Sequence, residues 1–309
     1  MPRSATSSVA CPKASASNHS AKGPFMPQLA SHQLIGANFS FQHFRFDRVA
    51  KLIREFGMKE IELWGIAQHL DLFHATDARI DSVRRVLADN GLSAWCFTPE
   101  QVLYPINIAS GDADLRRHSI ERFCHAADIC AALGARYLFL TPGRGYEGEA
   151  SKSAWDRSLE ALGAIAGHAD QVGVRCLLEP LQRFESNIVN DAAGLRRMLD
   201  ALGADNIDIV LDCVAMATAG DTVAGYVDLF GSRLAHVHLV DGTPSGHLVW
   251  GDGTLPLGDY VSELARLGYT GKLTFEPFGN GAYSLDPISA WTRCLSAIEP
   301  YLNRATVPA

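Results

Sequence analysis

The chain has 309 residues, 47% hydrophobic and 20% charged, an ordinary composition for a soluble globular protein. Its formal net charge of -7 argues against non-specific binding to nucleic acid or to anionic membranes, and no long apolar run is present to span a bilayer. A chain of this length buries a full core, and α/β barrels of roughly 250 residues fold as one domain.

The first 33 residues are rich in Ser, Ala, Lys and Pro, and the first acidic residue of the chain is Asp47. They lack the apolar stretch of a secretory signal and faintly resemble an organelle transit peptide. The favoured reading is a disordered tail over 1–33, or a native start at Met26. From Leu34 the pattern changes to short apolar strands alternating with helices. The predicted strands are Leu34–Phe39, Glu60–Trp64, Ser93–Phe97, Arg136–Thr141, Val174–Glu179, Ile207–Asp212, Leu234–Val240 and Lys272–Glu276. The predicted helices between and after them are Arg45–Phe56, Asp81–Asn90, Asp114–Leu133, Lys152–Val172, Ala192–Leu202, Thr222–Phe230, Leu257–Leu267 and Ser284–Tyr301. Glycines 57, 91, 134, 173 and 268 stand between a helix and the next strand, where a left-handed residue turns the chain.

Strands apolar at nearly every position belong to parallel sheets covered on both faces. Eight βα units without an obvious second domain predict an α/β fold of the (β/α)₈ barrel type, over residues 34–303, with 304–309 as a C-terminal tail. No GxGxxG follows the first strand, so an open dinucleotide-binding sheet lacks its main support. The seven cysteines include no CxxC pair, and several lie in apolar runs. They read as reduced, buried thiols of a cytoplasmic protein.

Such barrels carry their chemistry at the C-terminal ends of strands. Strands five to eight end in Glu179, Asp212, His238 and Glu276, each about one βα unit from the next. Each residue alone has a bland alternative: a surface glutamate, a helix cap, a hydrogen-bonded core histidine. Together they aim one ligand from each of four adjacent strands at a shared centre. Three carboxylates so close repel one another unless a cation neutralises them. Three oxygens and one nitrogen suit Mn²⁺, Mg²⁺ or Co²⁺ better than a structural zinc site, with zinc left as an alternative. His236 lies two residues before His238 and so on the same face of its strand.

These residues come in motifs. Leu178-Glu179-Pro180 precedes Arg183-Phe184-Glu185, and Leu211-Asp212, His236-Val237-His238, Gly251-Asp252-Gly253 and Phe275-Glu276-Pro277-Phe278 follow in order. With Glu62-Leu63-Trp64-Gly65 and His69, the pattern resembles the sugar isomerase/epimerase superfamily of xylose-isomerase-like barrels. Within it the chain is most similar to the ketose 3-epimerases of tagatose, allulose and fructoselysine. The resemblance implies that Glu179, Asp212, His238 and Glu276 bind the metal, that Glu179 and Glu276 also move the proton, and that Glu185 binds substrate and orients Glu179. Homodimers and homotetramers are common in that family. Two positions depart from it. A substrate-binding histidine three residues after the sixth-strand aspartate is replaced by Ala215, and an arginine six residues after the metal histidine by Pro244, with His247 close by.

The expected reaction is inversion at C3 of a ketose or keto-sugar derivative through an enediolate, with Glu179 and Glu276 as acid–base pair. The same proton abstraction also starts elimination, so a lyase or dehydratase acting on a 3-keto-glycoside or keto-polyol is the alternative, followed by an aldose–ketose isomerase. An apurinic-site endonuclease needs more ligands and a basic face, and a barrel that merely binds sugar is the non-enzymatic rival. His247, His69 and Arg144 are candidate contacts to substrate hydroxyls or a carboxylate. Trp64, Phe97 and Tyr104 are candidates for an apolar wall against the sugar's carbon face.

Overall fold

The computed structural model describes residues 28–101 and 105–303. Eight parallel strands form the barrel in sequence order: Gly36–Ala37, Glu60–Gly65, Ser93–Pro99, Tyr137–Leu140, Arg175–Leu178, Ile207–Asp212, Leu234–Leu239 and Lys272–Phe275. Leu34 bridges Leu273, and the amide of Ile35 donates to the Leu273 carbonyl at 2.9 Å, which closes the eighth strand onto the first. A closed parallel sheet has no free edge, so its strands can be apolar on both faces.

The outer ring consists of helices Phe46–Glu55, Asp77–Asp89, Ala113–Leu133, Ser151–Gln171, Ala192–Leu202, Val223–Phe230, Leu257–Arg266 and Pro287–Ile298. The five helix–glycine–strand joints all take positive φ, from 64° at Gly91 to 91° at Gly57. Among the described residues no helix is long and apolar enough to cross a membrane. The six described cysteines are free, and burial raises the Cys130, Cys176 and Cys213 thiols.

Several boundaries differ from the sequence expectation. The first strand is only two residues long, because the chain turns at Asn38 into a 3₁₀ turn, Phe39–Phe41. The second helix begins at Asp77, where the Thr76 hydroxyl accepts from the Arg79 amide. The final segment breaks at Asp286, whose side chain caps a helix with Pro287 in its first turn. A short helix, Cys213–Ala219, follows the sixth strand and was not predicted. The boundary at residue 34 also moves. Leu29–Ala30 pairs in parallel with Leu302–Asn303, and the buried Gln33 amide donates to the Tyr269 and Gly271 carbonyls, so 28–33 belong to the barrel's N-terminal end. Residues 1–27 and 304–309, with Met26 and Cys11, lie outside the described residues.

Two register shifts matter for the site. Between Ile61 and Glu62 the third strand contributes one extra residue, and between Ile209 and Val210 the seventh does. Such bulges re-aim the side chains beyond them. After the second shift Asp212 stands directly opposite His238.

Candidate metal centre

Glu179 follows the fifth strand, Asp212 ends the sixth, His238 lies near the end of the seventh and Glu276 follows the eighth. Their ligand atoms lie within 4.8 Å of one another. His238 sits in the middle: its Nδ1 is 3.0 Å from Glu179 Oε1 and 3.0 Å from Glu276 Oε2. The cluster is deeply buried, with Glu179 6%, Asp212 3% and His238 0% exposed.

The hydrogen-bond geometry identifies what the cluster lacks. Glu179 Oε1, Asp212 Oδ2 and His238 Nδ1 are buried with no hydrogen-bond partner of adequate geometry. Buried polar atoms are otherwise almost always paired, so three orphans pointing at one spot mark a ligand position. Asp212 shows the division of labour. Its Oδ1 accepts from the Ala215 amide at 2.6 Å, capping Cys213–Ala219, while Oδ2 stays uncommitted. The aspartate is therefore both the helix cap and a ligand candidate.

Electrostatics agree. Burial drives the Glu179 carboxyl well above its ordinary range, and the nearby Glu276 and Asp212 carboxylates add to the rise. Burial raises Asp212 as well, reinforced by Glu276. Burial opposes charge on His238, yet Glu276, Glu62 and Glu179 outweigh it and hold the imidazole well above normal. The pocket thus favours protons in places where a divalent cation would supply the charge. Three carboxylates and an imidazole fit a hard or borderline divalent cation.

Sequence reasoning missed the support beneath this layer. Glu62, on the second strand, is fully buried. The Thr98 hydroxyl donates to its Oε1 at 2.5 Å. Its Oε2 lies 2.8 Å from His236 Nε2 and 3.2 Å from His238 Nε2. The two histidines hold its carboxyl far below the usual range despite burial. A carboxylate on Nε2 fixes the imidazole tautomer that presents the Nδ1 lone pair to a metal. His236 turns to Glu62 and to the Lys272 carbonyl, away from the cluster, and burial lowers its pKa against the pull of Glu62. Trp95 packs on His236 with centroids 4.7 Å apart, and Phe139 stacks on His238 at 5.4 Å.

A cavity of about 410 Å³ opens above the cluster and is lined by Glu179, Asp212, Glu276, Glu185 and His247 among others. His247 Nε2 lies 3.8 Å from Glu276 Oε2. Its loop is pinned by the Asp241–Leu248 bridge and by Asp241, whose carboxylate accepts from the amides of Gly242, Gly251, Gly253 and Leu255. The Gly251-Asp252-Gly253 motif is thus the scaffold of that loop, with Asp252 held by Arg293 and Tyr283. Trp64, Phe39 and Phe278 form the apolar wall, their rings 5.1 to 5.8 Å apart. The Trp64 indole donates to Glu100 at 2.9 Å. Glu185 accepts from the Gln182 amide, and burial raises its carboxyl. Ala215 lines the cavity and Pro244 does not.

Three expectations for substrate contacts change. His69 is buried outside the cavity, with Nδ1 2.7 Å from the Asn38 amide nitrogen and Nε2 2.9 Å from the Phe44 carbonyl. Both ring nitrogens are occupied, so its place is structural. Phe97 is fully buried and packs against Gly65 in the core. Arg144 lines an adjoining chamber and not the cavity itself. Tyr104 lies outside the described residues.

The model of the family described as xylose isomerase-like TIM barrel matches residues 50–295. The chain is 30% identical over 215 residues to an L-ribulose 3-epimerase of Methylomonas, covering 68% of this chain and 70% of that one. It is 27% identical over 224 residues to the fructoselysine 3-epimerase of Escherichia coli, covering 72% and 82%. In fold it is similar to the E. coli 3-keto-D-glucoside 4-epimerase, with a TM-score of 0.74 at 19% identity, over 87% of this chain and 99% of that one.

Proposed function

Because this chain belongs to the xylose isomerase-like TIM barrel family, in the branch of the ketose 3-epimerases, we propose that it is a metal-dependent epimerase that inverts C3 of a ketose or keto-sugar derivative. The observation that carries this reading is the convergence of Glu179, Asp212, His238 and Glu276 with three orphaned buried atoms among them. We assign those four residues as the metal ligands and Mn²⁺ as the metal. When bound, the cation supplies positive charge for the oxyanion that builds up as a proton leaves the carbon beside a carbonyl.

The residues divide the remaining work. Asp212 anchors through its cap and has no free oxygen left for proton transfer once its other oxygen is a ligand. Glu179 and Glu276 flank His238, each with a second carboxylate oxygen left for proton transfer. One takes the C3 proton and the other returns a proton on the other face, which is inversion. Glu185 and His247 are placed to bind hydroxyls at the cavity rim, and Trp64 with Phe39 and Phe278 excludes water from one side. The free thiols support a reducing, cytoplasmic setting.

The test is solvent-deuterium incorporation across a panel of ketoses and keto-glycosides with Mn²⁺ added. Wild type exchanges one hydrogen on a carbon beside the carbonyl and, with a 2-ketose, yields the C3 epimer. Glu276→Gln, loaded at saturating Mn²⁺ and checked by elemental analysis, loses exchange by about 10² to 10⁴. Full exchange in that variant would sink the two-glutamate scheme, and loss of an aglycone without epimer would make the enzyme a lyase.

A further inference from the structure

A second chamber adjoins the cavity above the metal centre. That chamber holds about 300 Å³ and shares Gln101, Thr141, Leu181, Phe184 and Glu185 with the first, whose volume is about 410 Å³. Each alone is at the small end of ligand pockets, and joined they reach the size that encloses a ligand larger than one monosaccharide. Past the shared residues the second chamber is lined by Ile106, Ile108 and Phe123, all buried.

Apart from Glu185 at the shared lip, the polar side chains of the second chamber are held by protein partners. Asn107 donates to the Arg144 carbonyl and accepts from the Ala109 and Arg144 amides. The Arg144 guanidinium donates to the Arg183 and Phe184 carbonyls and to Glu147, which also pairs with Arg183. Sugar hydroxyls placed there would leave water and find few partners, which is costly, whereas an alkyl or aryl group gains by burial. At the lip shared by the two chambers stands the Phe184 ring, 66% exposed, an apolar surface at a place where a bound group would cover it.

We infer that the second chamber is a subsite for an apolar substituent carried by the sugar, so that the preferred substrate is an alkyl- or aryl-substituted keto-sugar and not a free ketose. The inference rests on the epimerase reading for what sits in the first chamber. It assigns Ile106, Ile108 and Phe123 to recognition of a group remote from the reacting carbon. Binding energy gathered there is available to orient the carbon between Glu179 and Glu276.

The experiment uses the Mn²⁺-loaded full chain and two probe series, 1-O-alkyl ketohexoses and alkyl 3-keto-glucosides, each with methyl, butyl and benzyl members. Deuterium incorporation gives kcat/KM for each. In one series kcat/KM rises with substituent size, by about fourfold per buried methylene at most, and the benzyl member exceeds the free ketose at least tenfold. Ile106→Trp, which fills the chamber, reduces the benzyl-to-methyl ratio to near one. A benzyl advantage that persists in a folded Ile106→Trp enzyme overturns the location. Should that variant fail to fold, the wild-type series decides alone. Exchange that is equal across each series overturns the subsite and leaves the epimerase reading intact. Absence of metal-dependent exchange with every probe and with free ketoses overturns the epimerase reading itself.

Discussion

Asp208 and Asp212 lie on the same strand, four residues apart, and are almost equally buried. Their surroundings are opposite. Asp208, near the N-terminal end of the barrel, accepts from Arg175 Nε at 2.8 Å, from Arg175 Nη2 at 2.9 Å and from the Tyr137 hydroxyl at 2.9 Å. Asp212, at the C-terminal end, caps a helix with one oxygen and leaves the other orphaned beside two more acids. The same contrast holds around each end. A cavity of about 820 Å³ lies at the N-terminal end among Met58, Leu295 and Leu302, and its Glu60 is paired with Lys272. A carboxylate whose lone pairs are satisfied inside the protein belongs to the scaffold. One held dry and unsatisfied belongs to a ligand.

The comparison can be broken first at the scaffold end. Asp208→Ala takes the acceptor from the Tyr137 hydroxyl and the carboxylate from Arg175, which is partly exposed and keeps only the Asp205 carbonyl, at a cost of about 1–3 kcal/mol. Chemical denaturation should show that loss, while the metal-dependent activity of the folded enzyme stays near wild type. A variant equally stable but inactive would reverse the roles of the two ends.

Asp212→Asn should do the converse. Mn²⁺ affinity falls by more than the ten- to hundredfold typical of partners one layer out from a metal. Wild type gains about 2.7 kcal/mol of stability at a Mn²⁺ concentration a hundredfold above its Kd, and the variant gains almost none. In chelator the variant is at least as stable as wild type, because one of three mutually repelling buried acids is gone. If Asp212→Asn is strongly destabilised in chelator, the aspartate is mainly a cap and the contrast with Asp208 fails.

How much of this was legible depended on direction. The four ligands could be read because strand ends of a barrel are marked by sequence: an apolar run, one polar residue, a turn. Their level around the barrel follows from the spacing of βα units. Glu62 could not be read the same way. Its partners are two histidines about 175 residues downstream, and its role depends on which ring nitrogen His238 turns inward. An acid inside an otherwise buried strand was the available signal, since such a charge must be paired. His69 failed for the mirror reason: a loop histidine near a motif looks functional until Asn38 and Phe44 are seen to occupy both nitrogens. Residues 28–33 were lost to composition, because the pairing that orders them is with the far end of the chain.

Glu62 also sharpens the comparison, as an acid that is fully paired yet serves the unpaired end. Glu62→Gln keeps the shape and one hydrogen-bond acceptor but loses the charge that orients His238. Mn²⁺ affinity should fall ten- to hundredfold, read by isothermal titration, with kcat recovering at saturating metal. A loss of kcat that saturating Mn²⁺ does not restore would place Glu62 in the chemistry instead of beneath it.

The smallest effect tests the scaffold end by pH alone. Burial, with the Asp208 charge beside it, pushes the Tyr137 phenol up to about 12. In the unfolded chain a tyrosine titrates near 10, so the folded state holds this proton more tightly. The stabilisation is therefore complete below about pH 10 and disappears as the pH rises toward the folded value of about 12. Tyr137→Phe should cost about 1 kcal/mol at neutral pH, the worth of one hydrogen bond, and should lose less stability than wild type across that alkaline interval. Because Tyr137 touches Asp208 and none of the four strand-end ligands, Mn²⁺ affinity should not change. A shift in metal affinity with this substitution would mean that the two ends of the barrel are coupled through the strands, and that the division between scaffold and site is weaker than the hydrogen bonds suggest.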